Sequence, residues 1–97
     1  MTRRRGTDTG GRRFPQQRVE EVWERGQEIP GQNPDDYRRG AAGNVIRRSS
    51  YGKDSEVGWE VDHKKPVDKE GTDNLRNLQP LQTGENREKS NKYPWKP

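Results

Sequence analysis

Residues 59–66 read WEVDHKKP and contain His63, the only histidine in the chain. Trp59, Val61 and His63 alternate with Glu60 and Asp62, and Val57 extends the alternation upstream. That period of two predicts a half-buried strand. Residues 64–74, KKPVDKEGTDN, are polar and rich in turn formers, so the strand ends in a loop. Leu75, Leu78 and Leu81 bracket a short extended piece, NLQPLQ. Thr83 suits a helix N-cap, and the helix through GENREKSN stops at Asn91 and Pro94. Residues 57–91 therefore predict strand, loop, short strand, helix.

Three polar residues punctuate that order. Thirteen residues lie between His63 and Asn77, and eight between Asn77 and Asn86. Such a topology can bring all three to one point together with Asp62. Hydrolysis of a phosphodiester needs a water stripped of its proton, in-line attack on phosphorus and help for the departing oxyanion. An imidazole, ordinarily titrating near about 6.5, suits the first task at neutral pH. A hard divalent cation suits the last. Asp62 and Asn86 offer two oxygen ligands, a set that fits Mg²⁺ with several waters retained; Mn²⁺ or Zn²⁺ suit the same position. Asn77 is placed to hydrogen-bond the far nitrogen of His63 and fix its tautomer.

Composition narrows the class. Leu, Ile, Val and Phe together are 12 of 97 residues, below the roughly 20% at which disorder becomes a serious reading. The net charge is only +4, and three Trp and three Tyr add bulky burial, so one thin-cored domain is expected. The pI near 9.6 favours a polyanionic partner. Without cysteine there are no disulfides and no cysteine-ligated zinc. No apolar run approaches a membrane span, and MTRRR lacks the apolar stretch of a signal peptide. The expected setting is the cytoplasm of a bacterial or phage-infected cell, unless the protein is delivered outside as a toxin.

Upstream, residues 1–14 carry five arginines and no apolar period, predicting a disordered basic arm; the domain is expected over 15–97. Pro15 to Arg25 predicts a helix whose Val19, Val22 and Trp23 form one stripe, closed by Gly26. Asn33-Pro34-Asp35-Asp36 reads as a turn. Gly43-Asn44 between YRRGAA and VIRRSSY predicts a hairpin carrying Arg38, Arg39, Arg47 and Arg48 on neighbouring strands, a candidate phosphate-facing patch. Lys65, Arg87 and Lys89 flank the proposed ion site and are expected to face solvent and bind phosphate.

The stretch WEVDHKKPVDKEGTDNLRNLQPLQTGENREKSNK resembles the HNH endonuclease motif, through Asp62 and His63, Pro66 in the loop, Asn77 in NLQPL, and Asn86 with Lys89 in the helix. The upstream residues AAGNVIRRSSYGKDSEVGWEVDH are similar to small stand-alone bacterial and phage members and to toxin-borne nuclease domains. The resemblance implies an α+β ββα-metal fold and metal-dependent cleavage of DNA to 5′-phosphate and 3′-hydroxyl ends. It implies His63 as general base, Asp62 and Asn86 as metal ligands, and Asn77 as the residue orienting the base. Three departures stand out. The last motif residue is Asn86 where many members have His, as in the nuclease domain of RNA-guided effectors. Residues 41–43 and 82–85 occupy places where many members carry CxxC pairs, so no structural zinc is expected and packing must hold the hairpin. Lys64 stands where the family favours an apolar residue.

Rival readings are a non-catalytic DNA-binding module on the same scaffold, a toxin domain covered by an immunity protein, and a phage nuclease working beside a packaging motor. No membrane partner and no small-molecule cofactor are expected.

Overall fold

The computed structural model describes residues 4–96. The first helix, α1, spans Gln16–Trp23, with Pro15 fixing the entry in an extended conformation. Its stripe of Val19, Val22 and Trp23 is buried, as the i, i+3, i+4 spacing requires. Trp23 also donates its indole N–H to the Pro34 carbonyl at 2.9 Å, pinning the Asn33–Asp36 turn to the helix.

Three short antiparallel strands follow: β1 (Gln27–Glu28), which the sequence did not announce, β2 (Tyr37–Arg39) and β3 (Val45–Arg47). The β2–β3 hairpin turns at Gly40–Gly43, where the Gly43 N–H donates to the Gly40 carbonyl and Gly43 has φ +95°. The turn is tied to the second sheet by a 2.8 Å bond from the Ala41 N–H to the Pro80 carbonyl. Main-chain pairing thus joins the two parts of a chain that has no cysteine to do so.

The second sheet pairs β4 (Trp59–His63) with β5 (Leu78–Gln82), Asp62 opposite Gln79 and His63 opposite Leu78. Helix α2 (Thr83–Lys89) begins where β5 ends. Its N-cap is Gln82, whose side-chain oxygen accepts the Glu85 N–H at 2.9 Å. Thr83, expected as the cap, is instead the first helical residue, and its hydroxyl donates to the Lys53 carbonyl at 2.9 Å.

Strand β4 is the organising element. All five of its residues are buried, so the half-buried expectation is corrected. Alternation sends Trp59 and Val61 into the core of Phe14, Val19, Val22, Trp23, Ile46 and Leu78. Trp59 packs on Trp23 at 5.3 Å and on Tyr51 at 4.9 Å between ring centroids. Glu60 and Asp62 leave by the other face, which α2 covers rather than solvent.

Residues 1–3 of the expected disordered arm lie outside the described residues. From residue 4 onward the arm is laid against the domain. Residues 8–12 close a turn, with Asp8 accepting the N–H groups of Gly10 and Arg12 at 2.9 and 2.8 Å. Arg5 Nε meets Glu60 at 2.8 Å, Thr9 meets Asp73, and Phe14 enters the core. Partners 55 and 64 residues away hold it, and no local sequence pattern announces such contacts.

Candidate active site

The end of β4, the start of the following loop and the inner face of α2 enclose a cleft of about 370 Å³. Asp62, His63, Asn86 and Lys89 line it, with Arg5 of the arm and Pro66 at other parts of its wall. Three of the four residues expected to converge, Asp62, His63 and Asn86, therefore line one cleft, 6%, 4% and 3% exposed. They come from opposite faces of one strand and from the helix after the next strand.

Asp62 is held from two sides. Gln79, its cross-strand neighbour, donates Nε2 to Oδ2 at 2.8 Å, and the Lys89 ammonium lies 3.3 Å from Oδ1. Burial pushes the Asp62 carboxyl above its usual range, and Gln79, Lys89 and His63 recover part of that cost. Lys89 also donates to the His63 carbonyl at 2.9 Å, so one ammonium clamps the end of β4 to α2.

Asn86 donates Nδ2 to Glu60 Oε1 at 2.9 Å. A carboxylate only accepts, so this bond assigns the amide nitrogen to Glu60 and identifies Oδ1 as the accepting and potentially ligating atom of Asn86. Glu60 Oε1 also accepts from Arg5.

His63 Nε2 lies 2.8 Å from Asp73 Oδ1, and the ring packs on Phe14 at 5.9 Å between centroids. Burial alone would raise the Asp73 carboxyl, but hydrogen bonds from His63 and from the Thr9 side chain and backbone outweigh it and hold that carboxyl below its usual value.

Four sequence expectations are corrected by these positions. The Asn77 side chain bonds elsewhere than to His63. Its Oδ1 accepts the Lys65 N–H at 2.9 Å, while its Nδ2 donates to the carbonyls of Lys65 and Thr72 at 3.1 and 2.8 Å. The side chain closes the loop after β4, and Asp73 takes the place beside the imidazole. That loop also needs Gly71, where a Cβ would fall 1.7 Å from the Lys65 carbonyl oxygen. Lys89, expected in solvent, is 2% exposed, because the i, i+3 spacing from Asn86 points both inward.

Two of the hairpin arginines are structural. Arg48 is paired with Glu20 across 28 residues, with Nε to Oε2 at 3.0 Å. Arg38 is buried and caps the carbonyls of Pro34 and Gly26, each at 2.9 Å. Arg47 keeps an exposed position over the Tyr37 ring at 5.6 Å. Lys65 is exposed, and Arg87 pairs with the exposed Asp54 at 2.8 Å.

Sequence reasoning missed Asp73, Glu60, Gln79 and the arm residues Arg5, Thr9 and Phe14. Only Glu60 left a signal: the alternation in WEVDH puts it on the same face as Asp62. Among the described residues no group of three or more His, Cys, Asp or Glu side chains is arranged to hold a metal ion. Of the carboxylates and carboxamides that line the cleft, Asp62 and Asn86 are the buried ones, while Asp68 and Asn91 are exposed.

An antiparallel strand pair running directly into a helix, with a buried Asp-His pair facing an Asn, defines the ββα class of small domain. Residues 49–92 match the family model described as HNH endonuclease. Over that segment, a little under half of its length, the chain is similar to the HNH endonuclease family. No curated protein and no solved structure matches the chain.

Proposed function

We propose that this protein is a divalent-cation-dependent DNA endonuclease that hydrolyses phosphodiester bonds. The observation that carries the reading is the shared cleft of Asp62, His63 and Asn86 within the segment matching the HNH family.

His63 is the general base. With Nε2 directed at Asp73, the neutral ring carries its proton there and its lone pair on Nδ1. Nδ1 takes a proton from water as the water oxygen bonds to phosphorus and the bond to the 3′ oxygen breaks. The leaving oxygen takes a proton from solvent, giving 5′-phosphate and 3′-hydroxyl ends. The donor set fits a hard cation that keeps most of its waters: Asp62 would offer a buried carboxylate oxygen, and Asn86 its amide oxygen, the amide nitrogen being bonded to Glu60. Once bound, Mg²⁺ or a similar ion supplies charge stabilisation at the phosphate oxygens. Lys89 holds the Asp62 carboxylate and the end of β4 in place. Lys65, Arg47 and Arg87 are the exposed cations suited to the DNA backbone; the Arg87–Asp54 pair is a surface pair that phosphate readily replaces.

Incubation with supercoiled plasmid tests the reading. The parent should nick or cut with Mg²⁺ and stop with EDTA, and His63→Ala should lower the rate by about 10²-fold or more. Equal rates for parent and His63→Ala would refute it.

One observation favours the non-catalytic alternative: Asp62 already has a resident cation in Lys89 at 3.3 Å. That alternative predicts salt-sensitive DNA binding with no turnover at any Mg²⁺ or Mn²⁺ concentration.

A further inference from the structure

Asp73 stands at the meeting point of three segments far apart in sequence. Its Oδ1 is 2.8 Å from His63 Nε2. The Thr9 N–H reaches Oδ1 and Oδ2 at 3.1 and 3.2 Å, and the Thr9 hydroxyl donates to Oδ2 at 2.8 Å. The carboxylate is therefore fixed by the arm on one side and aimed at the imidazole on the other. The same arm supplies Phe14 against the ring and, through Arg5, fixes the Glu60 oxygen that orients the Asn86 amide.

We propose that Asp73 is the positioning residue for His63, and that the docked N-terminal arm, through Thr9, sets it. The assignment rests on His63 being the general base. The Asp73 carboxylate can only accept, so it holds the Nε2–H tautomer. The carboxamide introduced by Asp73→Asn can instead donate to Nε2 and move the ring proton to Nδ1. The arm is then part of the active site, although in sequence it looks like a solvated tail.

His63 is the only histidine of the 97-residue chain, so imidazole ¹⁵N NMR of that chain reads this ring alone. The parent should show the Nε2–H tautomer. Asp73→Asn should shift the population toward Nδ1–H and lower kcat by about 10–100-fold, with KM within about twofold. Asp73→Glu should keep the parental tautomer and recover part of kcat. Thr9→Val, which removes one of the bonds to Asp73, should mix the tautomers and lower kcat by a smaller factor.

If Asp73→Asn leaves tautomer and kcat as in the parent, with its melting curve intact, the positioning role is overturned. If the tautomer shifts as expected but no variant, parent included, cleaves DNA, the positioning geometry stands and the nuclease reading falls. Parental tautomer and rate in Thr9→Val would overturn the arm's part alone.

Discussion

The two faces of β4 are five residues of one strand put to opposite uses. Toward α1, Trp59 and Val61 join a dry aromatic and aliphatic core. Toward α2, Glu60 and Asp62 are also buried, yet they meet the polar groups of Arg5, Asn86, Gln79 and Lys89. Apolar burial contributes stability wherever it occurs. Buried charge costs free energy unless its partners are placed well, and it persists most readily where chemistry needs it. The core face is what lets a chain with so few aliphatic residues carry a charged face at all. His63 sits at the seam, its ring on the core side against Phe14 and its Nε2 on Asp73.

The largest effect on stability should come from the core face. Trp59→Ala removes the ring that packs on Trp23 and Tyr51 and should cost about 4 kcal/mol in urea unfolding. A loss under about 1 kcal/mol would mean that the apolar face does not dominate.

Lys89→Met tests the charged face. It strands the buried Asp62 carboxylate and should cost about 3 kcal/mol. Adding Asp62→Asn should recover at least half of that, since the stranded charge goes with it. Strictly additive losses in this cycle would show that the two groups are not energetically coupled.

The smallest effect is in the acid limb. Asp73 is held below the ordinary 3.8, so its contribution is present above that value and is lost as pH falls through the lower, folded-state value. Asp62 is raised above 3.8, so its favourable contribution is present below that value and is lost as pH rises through the higher one. Melting temperature followed from pH 7 to about pH 2 should therefore fall less steeply at the acid end in Asp73→Asn than in the parent. Asp62→Asn should change the curve on the higher-pH side. An unchanged acid limb in Asp73→Asn would argue against the Asp73 hydrogen bonds.

Much of the fold was legible because it depends on periodicity. The Val19, Val22, Trp23 stripe announced α1, the alternation through WEVDH announced β4, and Leu78 with Leu81 announced β5. The sequence also pointed to Asp62, His63 and Asn86, since strand–loop–strand–helix order leaves them few places to go. The fate of Asn77 was not legible. An amide in a loop has several carbonyls and N–H groups within reach, and only the closed path of residues 65–72 shows which it takes. Lys89 and Arg38 looked like solvated cations because a long side chain's direction depends on what lies above its helix or strand.

The sequence by itself determined the order of every main helix and strand except β1, and the two faces of β4, because side-chain period follows from backbone geometry alone. Tertiary structure decided which group holds His63 and what becomes of the arm. Those contacts join residues 10 and 64 positions apart, and each bond forms only after both partners have been carried to the same place by the packing of everything between them.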